Sequence, residues 1–165
     1  MTRSEIPGFD VEGPVQAEVF VLWLDGSTPR LTGPCGPAPW YLEVGAEEDP
    51  LAVVSSAVRR VIGEPIVAHS TSWRTDRGGV ILSFVVVIDA ALVEQFADVP
   101  VQRSDLARNS ATEAPQDISY QQVLEHGLRH LAWLMQDDTV VADRLAAGWP
   151  EVLADYVPQP FRHLS

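Results

Sequence analysis

The chain has 165 residues, 46% of them hydrophobic, which suffices for one compact domain with a substantial core. Acidic residues outnumber basic ones by 23 to 11, and the net charge of −12 opposes general binding to nucleic-acid phosphates or to anionic membranes. A single cysteine, Cys35, excludes an internal disulfide, and no early cationic segment leads into an apolar run, so the expectation is a soluble, cytoplasmic protein.

Residues 1–14 hold Pro7, Gly8, Gly13 and Pro14 without a sustained period and read as an irregular arm. Ala17 to Leu24 is rich in aromatic and β-branched residues, lacks a clean polar face, and is closed by Asp25-Gly26, the pattern of an interior strand. From Ser27 to Pro39 the density of proline and glycine excludes a long helix or a central strand and predicts a shaped loop. Trp40 to Val44 reads as a short strand.

Asp49 can cap a helix whose first residue is Pro50, where a missing amide hydrogen costs nothing. Leu51, Val54, Val58, Val61 and Ile62 fall on one side of it, and Gly63 followed by Pro65 ends it. Ile66 to Arg74 and Gly79 to Asp89 are extended segments joined by a turn-forming run, which predicts a hairpin with Val67, His69, Thr71 and Trp73 on one face. The second strand is apolar almost throughout, so helices are expected on both sides of the sheet. Its apolar run, Val80 to Ile88, has about half the length a membrane span requires.

Ala91 to Ala97 is expected as a short helix, Val99 to Arg103 as a short strand, and 104–117 as a polar binding flap or a disordered loop. Ile118 to Asp137 is the second strong helix, striped by Val123, Leu124, Leu128, Leu131, Leu134 and Met135. Gln122, His126, His130 and Trp133 form a second row beside that stripe. Short helices over Thr139 to Ala147 and Pro150 to Tyr156 and an extended tail follow, a C-terminal extension (138–165) of one domain spanning 1–165.

This order of strand, Pro/Gly loop, strand, Gly-acidic loop, helix, hairpin and late helix resembles the Nudix hydrolase fold, whose signature is G-x5-E-x7-R-E-U-x-E-E-x-G-U with U aliphatic. With Gly63 on the last glycine, Glu48 falls on the first glutamate and Val58 on the aliphatic position. The other positions depart: Ser56 and Ala57 replace the arginine-glutamate pair, Arg60 and Val61 the next two glutamates, Leu42 the opening glycine and Glu64 the last aliphatic. The resemblance implies an α/β fold, a Nudix-like mixed β-sheet sandwiched between α-helices, whose usual hydrolase site is inactive. Magnesium sites at phosphoryl groups need carboxylates, and between Asp49 and Gly63 the helix has none.

The candidate ligand-binding residues are Glu48, Arg60, His69, Trp73, His126, His130 and Trp133. Arg60 suits an anionic ligand, or, with Arg59, a solvated face paired with nearby glutamates. His126 and His130 have the spacing that holds a metal on a helix, but the order EHGLRH differs from the H-E-x-x-H zinc arrangement, and a packed helix flank is the plainer reading. Trp73 and Trp133 can stack on a planar ligand or fill the core. Cys35 lacks a base nearby in sequence and reads as an inert loop cysteine.

The functional expectation is a noncatalytic domain for a small-molecule ligand or a protein partner, without cofactor, and with homo-oligomerisation open. The alternative is a divergent hydrolase of a nucleoside-diphosphate-linked substrate, using Mg2+ on nonstandard ligands such as Glu48. A third reading makes the protein a structural partner that docks through an apolar patch between Trp149 and Phe161.

Overall fold

The computed structural model describes residues 13–104, 118–145, 147–160 and 162–163. In chain order, strands β1 (Val15–Asp25), β2 (Thr28–Thr32) and β3 (Trp40–Val44) precede helix α1 (Pro50–Val61). The hairpin strands β4 (Val67–Asp76) and β5 (Gly79–Val87), a 3-10 turn (Ala90–Leu92) and strand β6 (Asp98–Pro100) follow. Helices α2 (Tyr120–Asp137), α3 (Thr139–Arg144) and α4 (Trp149–Leu153) and strand β7 (Arg162–His163) complete the order.

All seven strands join one mixed sheet with β1 inside it. One edge of β1 pairs in parallel with β5, from Val15↔Val80 to Leu22↔Val87. The other edge is shared between two antiparallel neighbours, β3 along its first half and β2 along its second. Strand β6 lies beyond β2, and β4 then β7 lie beyond β5.

Side chains alternate across a strand, and β1 uses both of its faces. Ala17, Val19 and Val21 join Val54 and Val58 of α1 in one cluster, with Phe84, Val86 and Ile88 of β5 and the residue after it. Phe20 and Leu22 join Val85, Val87 and the α2 residues Leu128 and Leu131 in the other. Each fully buried leucine or phenylalanine contributes about 1.5–3 kcal/mol of transfer free energy, so both faces need a cover. The chain is thus an α/β fold with helices on both sides of a mixed sheet.

Local chemistry sets the ends of these elements. The Asp49 side chain accepts from the Leu51 N–H at 3.3 Å, and Pro50 takes the first helical position. Gly63 has φ 150°, and a Cβ there would lie 2.7 Å from Leu92 Cδ1, so a side chain at this stop would collide. At α2, Ser119 and Gln122 form a reciprocal capping box. Gly127 sits inside that helix where a Cβ would lie 2.8 Å from Val85 Cγ2, and the missing side chain lets α2 settle onto β5. Arg77 (φ 49°) and Gly78 (φ 81°) supply the two positive-φ residues of the β4–β5 turn.

Several expectations change. A register shift between Ser70 and Ser72 moves Trp73 opposite Leu82, which packs in the α1-side cluster, whereas Val67 packs in the α2-side one. Val67, His69, Thr71 and Trp73 therefore do not share a face, because a bulge inserts one residue and inverts the alternation after it. The 27–39 segment is not loop throughout: Thr28–Thr32 pairs with β1 on one side and β6 on the other, with Pro29 near its start. Only a single 3-10 turn forms within 91–97, and β6 is a three-residue strand ahead of the expected one.

On α1, Leu51 and Val61 are 42% and 39% exposed, and Ala57 replaces them as a core residue beside Val54 and Val58. Within the expected docking patch, Trp149, Val152, Leu153 and Tyr156 belong to the α2-side core, Val157 is 61% exposed, and Phe161 lies outside the described residues. The expected flap and most of the N-terminal arm lie outside the described residues. No described helix is long and apolar enough to cross a membrane.

Candidate functional site

An open cavity of about 430 Å³ runs along α1 beside the end of β3. Its helix residues are Asp49, Ala52, Val53, Ser56, Ala57 and Arg60, a single stripe at spacings of three and one. Leu42, Glu43 and Glu48 complete the lining. Leu42 pairs with Ala17, whose side chain is in the α1-side cluster, while Glu43 pairs with Gln16 on the alternate face and so meets the cavity from its edge.

The charges around this cavity differ in how far they are engaged. Glu48 Oε1 accepts from the Gly45 N–H at 3.0 Å, which closes the loop before the helix. Arg59 makes a two-pronged pair with Glu64 at 2.8 and 3.3 Å. Arg60 has no ion pair or hydrogen bond among the described residues and lines the cavity with its guanidinium exposed. The stripe thus has carboxylates at its start, small side chains along its length and one unengaged cation at its end.

The other candidates sit across the sheet. His69 of β4 and His130 of α2 have ring centroids 5.2 Å apart, and Trp133 continues the row 5.6 Å from His130. His69 Nδ1 donates to the Ser70 carbonyl at 2.8 Å. His126 is fully buried, with Nε2 donating to the Thr71 carbonyl at 3.2 Å and Nδ1 facing the Gln159 side-chain oxygen at 3.3 Å. Burial, then the proximity of His69 and His126, pushes the His130 imidazole down to about 4, so it is neutral at neutral pH. No group of three or more His, Cys, Asp and Glu among the described residues is arranged to hold a metal ion.

The structure therefore splits the sequence-derived candidates into two sets. Glu48 and Arg60 both line the α1 cavity, at its opposite ends. His69, His126, His130 and Trp133 form a packed cluster under α2. Trp73 joins neither, since the bulge directs it to the α1 side of β4.

Two buried carboxylates were not among the candidates read from the sequence, although Glu125 stands four residues before Arg129 on α2. Glu18, fully buried in β1, receives Arg74 through two contacts of 2.9 Å, the Tyr41 hydroxyl at 2.7 Å and the Ser83 hydroxyl at 3.0 Å. Burial and this hydrogen bond to Glu18 raise the Tyr41 phenol above its usual range. Glu125 of α2 accepts from Arg103, Arg129 and the Ser104 N–H at 2.8, 3.0 and 3.2 Å. Burial alone would raise its carboxyl, but the two guanidinium bonds and the amide outweigh it and hold the group below the ordinary range. Arg103 also lies 4.0 Å over the Tyr156 ring. Most of their arginine partners come from distant positions: Arg74 is 56 residues from Glu18 and Arg103 is 22 from Glu125, whereas Arg129 is only four residues from Glu125 on the same helix.

A smaller cavity of about 270 Å³ between β6 and the start of α2 is lined by residues such as Leu31, Val101, Tyr120 and Leu124, with no charged side chain among the described residues. Its described lining offers nothing to orient an ionic group, whereas the α1 cavity carries charges at both ends. No protein-family model matches the chain, and no curated protein matches it.

Proposed function

We propose that the protein is a noncatalytic ligand-binding domain of Nudix-like fold, with the cavity beside α1 as its site and a small molecule as its ligand. The carrying observation is the α1 stripe itself: Ala52, Val53, Ser56, Ala57 and Arg60 face the cavity after Asp49, and none of these five is a carboxylate. Glu48, the one residue matching a signature glutamate, is turned onto the Gly45 amide. A guanidinium there repels a divalent cation and attracts an anionic ligand group directly. The Nudix-like reading is supported by the element order and by a mixed sheet with the signature-aligned helix on one face and α2 on the other. Its acidic surface and lone exposed cysteine suit a cytoplasmic setting.

The test is a panel of nucleoside-diphosphate-linked compounds incubated with the full chain and Mg2+. No release of phosphate or nucleotide is expected. Magnesium-dependent turnover that Glu48→Gln abolishes would establish the divergent hydrolase instead.

A further inference from the structure

From the distribution of charge along the cavity, we infer that its ligand is an extended zwitterion, with one anionic group held by Arg60 and an amine held at the Glu48–Asp49 end. This inference rests on the reading of the α1 cavity as a binding site and adds the chemical class of the ligand.

Among the described residues, Arg60 is the one cationic side chain lining the cavity, and its guanidinium is engaged by none of the others. A guanidinium presents a planar fork that fits a carboxylate or a single phosphate face. One such group satisfies it. A diphosphate brings more negative charge than a single arginine offsets, into a cavity that also carries Glu43, Glu48 and Asp49 on a chain of net charge −12.

The opposite end attracts a cation. Glu48 and Asp49 each direct one oxygen at a backbone amide, of Gly45 and Leu51 respectively, which leaves a second oxygen on each carboxylate. Between the poles, Ala52, Val53, Ser56 and Ala57 present small, largely apolar surface suited to an uncharged middle.

Size sets the scale of the molecule. Asp49 and Arg60 lie about 16 Å apart along the helix axis at 1.5 Å per residue, and side-chain reach shortens the gap between charges. An extended peptide covers about 3.3–3.6 Å per residue, so a peptide of about three or four residues with free termini has the right length. The cavity volume of about 430 Å³ falls within the usual range for small-molecule sites.

The experiment uses glycine oligomers of two to five residues as a ruler, with amide chemical shifts of the full chain as readout. The comparison probes are N-acetyl-triglycine, triglycinamide and ADP. Triglycine or tetraglycine is expected to shift amides of residues 48–60, and blocking either terminus should weaken binding by about tenfold or more. Arg60→Ala should remove the discrimination against triglycinamide. Glu48→Gln with Asp49→Asn keeps both backbone hydrogen bonds and should remove the discrimination against N-acetyl-triglycine. All three side chains are exposed, and an unchanged unfolding midpoint confirms that each variant is folded.

Tighter binding of ADP than of every zwitterion, with shifts in the same residues, overturns this inference and leaves the binding site standing. Indifference to terminal blocking does the same. If no probe moves amides of the α1 stripe, both the inference and the site are overturned.

Discussion

The two faces of the sheet carry opposite kinds of polar chemistry. Under α2, Glu18, Glu125, His126 and His130 are buried, and the two carboxylates are saturated by arginines, hydroxyls and a backbone amide. Along α1, Glu48, Asp49 and Arg60 are exposed around an open cavity, and no described residue engages Arg60. Charges that are fully matched inside a protein hold elements in register and leave no capacity for a ligand. Charges left unmatched at the edge of a cavity retain that capacity. Under the proposed function, the α2 face is the stabilising half of the molecule, and the α1 face the recognising half.

The sharpest way to break this division is to leave one buried charge alone. Glu18→Ala strands the largely buried Arg74 and should cost about 3–5 kcal/mol, read from the midpoint of urea unfolding. If that variant unfolds at the wild-type midpoint, the network has no structural role.

Hydrophobic truncation gives the next largest contrast. Leu128→Ala, inside the α2-side core, should cost about 2–5 kcal/mol. Leu51→Ala, on the α1 stripe expected from sequence but 42% exposed in the structure, should cost far less. Equal losses would mean that α1 is as deeply seated as α2.

Acid sharpens the comparison further. The folded-state pKa of His130, about 4, lies below its ordinary value of 6.5, so between these pH values the unfolded chain binds the extra proton. Stability is therefore complete above 6.5 and falls as pH drops towards 4, by at most about 1.4 kcal/mol per pH unit for this one group. His130→Asn should flatten that part of the profile. Glu125, whose folded pKa is lowered, adds stability that is present above its unfolded pKa and is lost in stronger acid as pH passes through the folded value. A profile flat down to pH 4 in the wild type would contradict the burial of His130.

Much of this fold is legible locally. Asp49-Pro50 and Gly63 mark the ends of α1, Ser119 with Gln122 starts α2, and the hydrophobic run of β5 already demands cover on both faces. What sequence pattern misses depends on pairing. The bulge after Ser70 leaves no local signature, yet it reverses Trp73. The stripe on α1 predicts Leu51 and Val61 as core, but where a helix overhangs the sheet is fixed by tertiary packing. His126, His130 and Trp133 are readable as a row, whereas their neighbour His69 becomes adjacent only when β4 lies under α2. Glu18 lies among Ala17, Val19 and Phe20, and a buried glutamate there becomes reasonable once Arg74 reaches it across β5.

If recognition is separable from stability on this scaffold, Arg60→Ala distinguishes the two in one variant. Triglycine affinity, from amide shifts, and the urea midpoint are determined on the same variant. The account predicts a loss of affinity of about tenfold or more with stability unchanged within about 0.5 kcal/mol. Unchanged affinity, or a variant that loses several kcal/mol of stability, would contradict it.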